Sequence, residues 1–443
     1  AASTGGQIMP PVMGIAAFVL AALSSTPYSE VIIAAFIPAC AYFFSLFLMV
    51  VFESRRIGMT PVGTITEEQK LTKRDKINLL MIIGPILLIL FLLLTKKDAV
   101  GTGALGWIFG YTGSPGESLP WLLQLLQNSA GDPDSTGFWA VTLLIILMFV
   151  DPEIRRKPKK VLRAIANAGT FISELFLLLI AVSIIDVCIN YTNFTGILTI
   201  DVLNWLKTAD SFVILGQEIR LDGALYLMLA LVVAMVATIM LGMGMPTLPA
   251  YVNVILIIGP LLAALGTSFF TAHMFVFYFA VASAITPPVA IAAFAASTIS
   301  KAEPLATGFS AVRAGIVVFT IPFVFAFYPE LLLIEQAQIA QSLDGETTKS
   351  YLPGYDGTID GTSLTWLLVR LLLALYLVAS ALTKFDSAKL STLEVAVRII
   401  IAVLLLIKSP YICTTAFIAG IILIALHKFW FRKISDSNEA NTK

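Results

Sequence analysis

Three apolar stretches of the chain are interrupted by glycine and proline residues that could present backbone carbonyl groups to a ligand. The sequences GGQIMPPV, LGMGMPTLPAYV and SAITPPVA begin at residues 5, 241 and 283. Proline lacks a backbone donor and breaks a helix, so nearby carbonyl groups lose their usual partners. Freed carbonyls and hydroxyls can coordinate Na⁺, and the N-termini of half-helices attract a carboxylate. These stretches therefore predict a site for a cation and an organic anion.

Two of the interruptions belong to an internal repeat, which an ungapped comparison at an offset of 277 residues detects. The aligned identical pairs are Ile8 and Ile285, Pro10 and Pro287, Pro11 and Pro288, Val12 and Val289, Ala16 and Ala293, and Pro27 and Pro304. The span after the first copy ends at a basic loop, whereas the span after the second ends at an acidic one. Opposite orientations are therefore predicted. Inverted repeats with interrupted segments at matching places are typical of secondary transporters and indicate the binding site.

The composition places these segments in a membrane. Of 443 residues, 58% are hydrophobic and 13% are charged, against roughly 25% charged in soluble domains. Several apolar runs have the ~17 to 25 residues that a helix needs to cross a bilayer. A net charge of zero gives no sign of a nucleic-acid partner. Cys40, Cys188 and Cys413 lie singly, which argues against a disulfide framework or a zinc site.

Hydropathy and charged flanks predict the membrane spans and their orientation. The spans are 29–52, 77–95, 138–150, 165–187, 224–241, 250–266, 308–328, 364–382, 393–408 and 411–427, with 224–266 counted as one broken crossing. Lysine and arginine concentrate in 53–76 and 151–163, which predicts that both lie in the cytoplasm. Segments 96–137 and 329–363 carry few basic residues and are predicted outer loops. The Phe275, Phe277, Tyr278 and Phe279 rings are predicted to face lipid and to pack.

The predicted fold class is an all-α polytopic membrane protein, an inverted-repeat secondary transporter with re-entrant helical hairpins and a discontinuous helix. Residues 1–76 form the end of the first repeat, 77–164 scaffold spans and an outer loop, 165–335 the second repeat, and 336–443 an outer loop and C-terminal spans. The counterpart of LGMGMPT would lie about 35 residues before Ala1. We therefore expect the first repeat to be truncated and this chain to be part of a longer permease.

At these motifs the sequence resembles a known family. GGQIMPPVMGIAAF, LGMGMPTLPAYV and AHMFVFYFAVASAITPPVAIAAFAAS resemble the large permease of tripartite ATP-independent periplasmic (TRAP) transporters, particularly the fused TAXI type. The resemblance covers nearly the whole chain and is least diagnostic in 96–137 and beyond about 335. It implies Na⁺-coupled uptake of an organic acid across the bacterial inner membrane. The implied partners are a periplasmic substrate-binding protein of the TAXI type and a small membrane subunit, separate or fused upstream.

The resemblance also assigns the site. The implied substrate-binding residues are Thr4, Gly5, Gly6, Pro10, Pro11, Ser283, Thr286, Pro287 and Pro288. The implied Na⁺ ligands come from Gly242, Gly244, Pro246 and Thr247. No cofactor is expected besides Na⁺ as the coupling ion.

Isolated ionisable residues add further hypotheses. Glu174 lies within the predicted span 165–187, where an ionisable group suggests coupling, although it could instead pair with a polar neighbour. His273 could be a proton site or a hydrogen-bonded structural histidine. Arg313 could be an interfacial residue or a clamp for a substrate carboxylate. Asp186 is expected at the outer end of its span, in contact with water.

Other function classes fit the sequence less well. A channel predicts a continuous polar pore rather than paired interruptions. An intramembrane hydrolase requires a nucleophile with a base or a metal pair, whereas the chain has no HExxH motif and only His273 and His427. An inactive fragment of the permease is the remaining alternative. The sequence thus predicts a permease that is not an enzyme.

Overall fold

The computed structural model shows an α-helical membrane protein, as predicted. The structure describes residues 1–11, 13–59, 72–95, 121–193, 211–214, 217–220, 223–264, 266–335, 338–341, 347–350 and 356–441, together with 197, 200, 201 and 204. The predicted loop residues 60–71 and 96–120 lie outside this description.

The helices follow the predicted spans closely. In the first half they are α1 (Ala2–Gly5), α2 (Ile15–Leu23), α3 (Tyr28–Ile57), α4 (Lys73–Leu94), α5 (Trp121–Ser129), α6 (Pro133–Met148), α7 (Pro152–Arg156) and α8 (Lys159–Tyr191). In the second half they are α9 (Gly223–Gly242), α10 (Thr247–Ala264), α11 (Phe269–Ser283), α12 (Ile291–Ser300), α13 (Pro304–Ala314), α14 (Val317–Phe327), α15 (Gly361–Thr383), α16 (Thr392–Leu405) and α17 (Pro410–Asn441). The segment 96–137, which we predicted to be a loop, contains α5 and the beginning of α6.

Two short antiparallel hairpins depart from the purely helical prediction. Strand β1 (Ser211–Ile214) pairs with β2 (Gln217–Arg220), and β3 (Gln338–Gln341) pairs with β4 (Thr347–Ser350). Each lies in a connection between helices, so the helical spans are unaffected.

Four helices of the described residues have the length and composition needed to cross a membrane. They are Tyr28–Ile57, Pro304–Phe327, Gly361–Thr383 and Pro410–Phe429. The span Pro304–Phe327 combines α13 and α14. The apolar helices α11 and α12 have only 15 and 10 residues. At 1.5 Å per residue they are about 22 Å and 15 Å long, shorter than a hydrocarbon core of ~30 Å.

The chain forms two compact units. The first contains Ala1–Met9, Ala34–Pro61 and Asn193–Lys443, and the second contains Pro10–Ile33 and Val62–Thr192. In the second unit α4 packs on α6, because Gly84 leaves room for the Leu147 side chain. Helix α6 begins where the Asp132 carboxylate accepts a hydrogen bond from the Ser135 backbone amide.

The core of the first unit surrounds α11. Every residue from Phe270 to Ser283 is buried, and α9, α10 and α14 pack around this helix. The Phe275 ring meets Phe323 edge-on, with centroids 5.5 Å apart. The prediction that the α11 aromatic residues face lipid is therefore wrong, because neighbouring helices cover all sides of the helix. Their predicted packing role is confirmed.

The C-terminal helices α15, α16 and α17 enclose a buried arginine. The Arg398 side chain is fully buried, and its Nη1 atom donates to Asp386 Oδ2 at 3.0 Å and to Ser380 Oγ at 2.6 Å. Its Nη2 atom donates to Glu394 Oε1 at 3.0 Å, and the Tyr376 hydroxyl donates to Asp386 Oδ1 at 2.7 Å. A charge at membrane depth requires such compensation.

We expect Arg398→Ala to destabilise the protein by about 3 to 5 kcal/mol, because it leaves the buried Asp386 carboxylate without its cation. Thermal unfolding in detergent, followed by near-UV circular dichroism, measures the change. Arg56→Ala is the matched control. Arg56 pairs with Glu53, but both side chains are about one-third exposed, so this variant should cost less than about 1 kcal/mol. Equal losses of stability in the two variants would contradict the conclusion that Arg398 compensates the buried Asp386 carboxylate.

Candidate functional site

The sequence repeat is also a repeat of helix boundaries. In the first copy α1 ends at Gly5 and α2 spans Ile15–Leu23, and in the second copy α11 ends at Ser283 and α12 spans Ile291–Ser300. Adding 277 to 5, 15 and 23 gives 282, 292 and 300, within one residue of the second set. The Pro10–Pro11 and Pro287–Pro288 bonds are both cis. Each copy therefore contains a helix, an interruption at the proline pair, and a second helix.

The third interruption lies where it was predicted. Helix α9 ends at Gly242 and α10 begins at Thr247, so GMGMPT separates two apolar helices. Gly244 adopts φ +83°, which is the left-handed region that favours glycine. A Cβ atom on Gly244 would lie 3.5 Å from Val289, the residue after Pro288.

Two of the interruptions meet at Gly242 and Ser283. The Ser283 hydroxyl lies 3.1 Å from the Gly242 carbonyl oxygen and 2.8 Å from that of Ala280, and it can donate to either. A Cβ atom on Gly242 would lie 2.7 Å from Ser283 Oγ, so only glycine permits this approach. The structure thus brings together one predicted ion ligand and one predicted substrate residue.

The N-terminal segment reaches the same region through Gln7. The Thr247 hydroxyl donates to Gln7 Oε1 at 2.8 Å, and both side chains are half-buried. The sequence prediction did not include Gln7, although this residue lies between Gly6 and Pro10. A polar side chain inside an apolar motif was the available signal.

The neighbouring predicted residues pack against Tyr42. A Cβ atom on Gly5 would lie 2.5 Å from the Tyr42 ring. A Cβ atom on Gly315 would lie 3.4 Å from the Tyr42 hydroxyl and 3.1 Å from Ile285. Thr4 is buried, and its Oγ1 atom has no hydrogen-bond partner among the described residues. Tyr42 therefore lies between the N-terminal segment and the second repeat.

Three further predicted residues, Thr286, Pro287 and Pro11, contact neighbouring segments. The Thr286 hydroxyl donates to the Ala282 carbonyl at 2.8 Å, and Pro287 packs on Gly308. Pro10 and Pro11 belong to the second unit, where the Tyr28 hydroxyl donates to the Pro11 carbonyl at 3.1 Å. The carbonyl of the second proline in this pair thus has a hydrogen-bond partner.

The polar atoms at the interruptions are neutral oxygens. They comprise the Gly242 carbonyl, the Thr247 and Ser283 hydroxyls and the Gln7 amide. No group of three His, Cys, Asp or Glu side chains that could hold a metal occurs among the described residues. Neutral carbonyl and hydroxyl oxygens suit an alkali cation better than a transition metal, which favours imidazole or thiolate.

His273 lies on α11 ten residues before Ser283, about 15 Å along the helix from this contact. His273 is buried, with Nδ1 2.6 Å from the Tyr251 hydroxyl and its ring against Phe269. This arrangement suits a structural histidine, and a coupling role for His273 stays a prediction. Glu174 and Asp186 lie within α8, but their side chains are outside the described part of the chain.

Arg313 forms an ion pair with Glu53, with 3.5 Å between Nη2 and Oε2. Arg313 lies in the first half of Pro304–Phe327, whereas Glu53 lies near the end of Tyr28–Ile57. The pair therefore joins the two spans that follow the repeated interruptions.

Comparison with known proteins identifies the family. Residues 1–111 and 122–338 match the family model for the tripartite ATP-independent periplasmic transporter, DctM component. The chain therefore belongs to the DctM family, the large permease component of TRAP transporters, which confirms the predictions of a TRAP permease and of a protein that is not an enzyme. No curated protein and no solved structure matches the chain. The matched segments end at residue 338, so the C-terminal helices α15, α16 and α17 lie beyond them.

The Gly242–Ser283 contact can be tested by adding one methyl group. Gly242→Ala places a Cβ atom 2.7 Å from Ser283 Oγ, and we expect a loss of about 1 to 3 kcal/mol in stability. Thermal unfolding of the purified protein measures this loss. Adding Ser283→Ala should restore part of it, because the clashing oxygen is removed.

Gly137→Ala is the control for this pair of variants. Gly137 lies within α6, and a Cβ atom there would meet nothing within 4 Å. It should be neutral or slightly stabilising. Failure of Ser283→Ala to relieve the Gly242→Ala defect would show that the two residues do not meet.

Proposed function

We propose that the chain is the permease of a Na⁺-coupled secondary transporter that imports an organic acid. The carboxylate substrate is delivered by a periplasmic binding protein of the TAXI type, and a small membrane subunit assists at the bacterial inner membrane. Membership of the DctM family supports the two partners in general terms. The observation that carries the proposal is the contact between two helix interruptions at Gly242 and Ser283.

Na⁺ is the ion that we assign to this contact. The proposed ligands are the Gly242 carbonyl, the Thr247 hydroxyl and the Gln7 amide oxygen. Gly242 and Thr247 flank the GMGMPT interruption, and Gln7 lies shortly before the first proline pair. Interrupted backbone at membrane depth is tolerated where it is buried in protein or lines an aqueous cavity. A cation bound there would replace hydrogen bonds that the hydroxyls now make to protein acceptors.

The organic acid is assigned to the short helix α12, which follows the second proline pair. Helix α12 begins after Ala290, which supplies no side-chain hydrogen bond, and of its first amides that of Ala292 donates to the Ala284 carbonyl at 3.0 Å. By contrast, the Asp360 carboxylate caps α15 and the Ser391 hydroxyl caps α16. Uncapped amides at a helix N-terminus favour an anion, so backbone groups could recognise the substrate carboxylate without a dedicated arginine.

The two inverted copies suggest how the site is exposed to each side in turn. In inverted-repeat transporters the substrate lies near the bilayer midplane at the repeat interface, and one bundle moves against the other. The short helices α11 and α12 would form one re-entrant hairpin, and the segment Thr4–Pro11 would supply part of its counterpart. A channel is the alternative, and it needs no such motion.

Transport measurements test this function. The permease is reconstituted in proteoliposomes with its binding protein and small subunit, and uptake of labelled C4 and C5 organic acids is measured with and without an inward Na⁺ gradient. We expect uptake that requires both Na⁺ and the binding protein. Thr247→Ala should lower Na⁺-dependent uptake about tenfold, which corresponds to ~1.4 kcal/mol of lost stabilisation.

Thr238→Ala is the matched control for Thr247→Ala. The Thr238 hydroxyl is buried and donates to the Ala234 carbonyl within its own helix, so its loss should leave uptake within about twofold of the original rate. Uptake driven by a proton gradient and indifferent to Na⁺ would assign coupling to Glu174 or His273. Passive flux without the binding protein would favour a channel.

A further inference from the structure

A groove of about 620 Å³ opens between the C-terminal helices α16 and α17. Its walls are apolar and include Leu393, Val397, Leu423 and Leu426. Leu393 and Leu426 are 77% and 61% exposed, so the protein itself leaves these walls uncovered. The groove lies beyond the segments that match the DctM family, and its role does not depend on the proposed transport reaction.

The groove lies where membrane helices end. Helix α15 ends at Thr383, α16 begins at Thr392, and the apolar part of α17 ends at Phe429. Lys389 and Ser391 line the groove on the connection between α15 and α16. One end of the groove is therefore at the depth of the lipid headgroups, and the Val397 wall is further into the hydrocarbon, roughly 7 to 8 Å along α16 at 1.5 Å per residue.

The acidic side chain in the groove is already compensated. Glu394 Oε1 accepts from Arg398 Nη2 and from His427 Nδ1, each at 3.0 Å. Asp386 is likewise held by Arg398. A carboxylate that accepts two donors from cationic or polar groups repels a bound anion less than an isolated one does.

Three exposed lysines near this end form no ion pair with the described residues. They are Lys384, Lys389 and Lys428, of which Lys389 lines the groove. His427 is nine-tenths buried, and its Nε2 atom has no hydrogen-bond partner among the described residues. Nε2 is enclosed by the protein, so Lys389 is the group at the mouth of the groove that can meet a charged ligand.

We propose that this groove binds an anionic phospholipid such as phosphatidylglycerol. The phosphate pairs with Lys389, and one acyl chain lies along Leu393, Val397 and Leu423. Basic residues at a membrane surface attract anionic lipids, and the apolar walls distinguish a lipid from free phosphate.

Native mass spectrometry of the intact chain in detergent tests the site. The protein is incubated with phosphatidylglycerol and phosphatidylcholine of identical acyl chains, and the ratio of retained lipids is measured. We expect phosphatidylglycerol to be preferred. Lys389→Gln should lower the ratio about fivefold, the equivalent of ~1 kcal/mol for one lysine near the surface. Leu393→Trp should reduce retention of both lipids by filling the groove.

Lys301→Gln is the control, because Lys301 is equally an exposed lysine but lies at the end of α12. It should leave the ratio unchanged. Equal retention of the two lipids, or equal effects of the two lysine variants, would overturn the proposal. Displacement of phosphatidylglycerol by excess inorganic phosphate would also overturn it and would indicate a site for free phosphate.

Discussion

The structure depends on how interrupted backbone finds partners inside a membrane. Water is absent from the hydrocarbon core, so an unpaired carbonyl there costs several kcal/mol. The GMGMPT interruption and the second proline pair meet one another, and the Ser283 hydroxyl reaches the Gly242 carbonyl. Glycine is the only residue type that allows this approach at position 242. The same oxygens that stabilise the interruptions are those that we propose as cation ligands.

The C-terminal helices are joined to the repeats at both ends. Tyr328, directly after α14, donates a hydrogen bond to the Leu406 carbonyl and lies beside the Arg370 guanidinium. Near the other end, Phe52 of α3 packs on Ala379 and meets the Tyr376 ring. Phe52 follows the first repeat copy and Tyr328 follows the second, so each copy is connected to a residue that contacts the C-terminal helical region. The buried Arg398 network holds these helices in a fixed arrangement.

The sequence predicted the features that depend on local chemistry. Glycine and proline at 242–249 and at the proline pairs defined the helix breaks, and the 277-residue offset placed matching helix boundaries in both copies. It did not predict features that depend on packing. The α11 aromatics are buried because three helices surround them, and apolar residues give no local signal of which face meets lipid. Gln7 was missed because its partner, Thr247, is 240 residues away.

Equilibrium binding of ²²Na⁺ to the purified permease is the most direct test, because it requires neither a substrate nor the binding protein. We predict saturable binding that excess unlabelled Na⁺ displaces and choline does not. Replacing Thr247 and Ser283 together by alanine should abolish it, whereas alanine at Thr238 should preserve it. Binding that survives the double replacement, or an absence of saturable Na⁺ binding in the unaltered protein, would contradict a cation site where the helix interruptions meet.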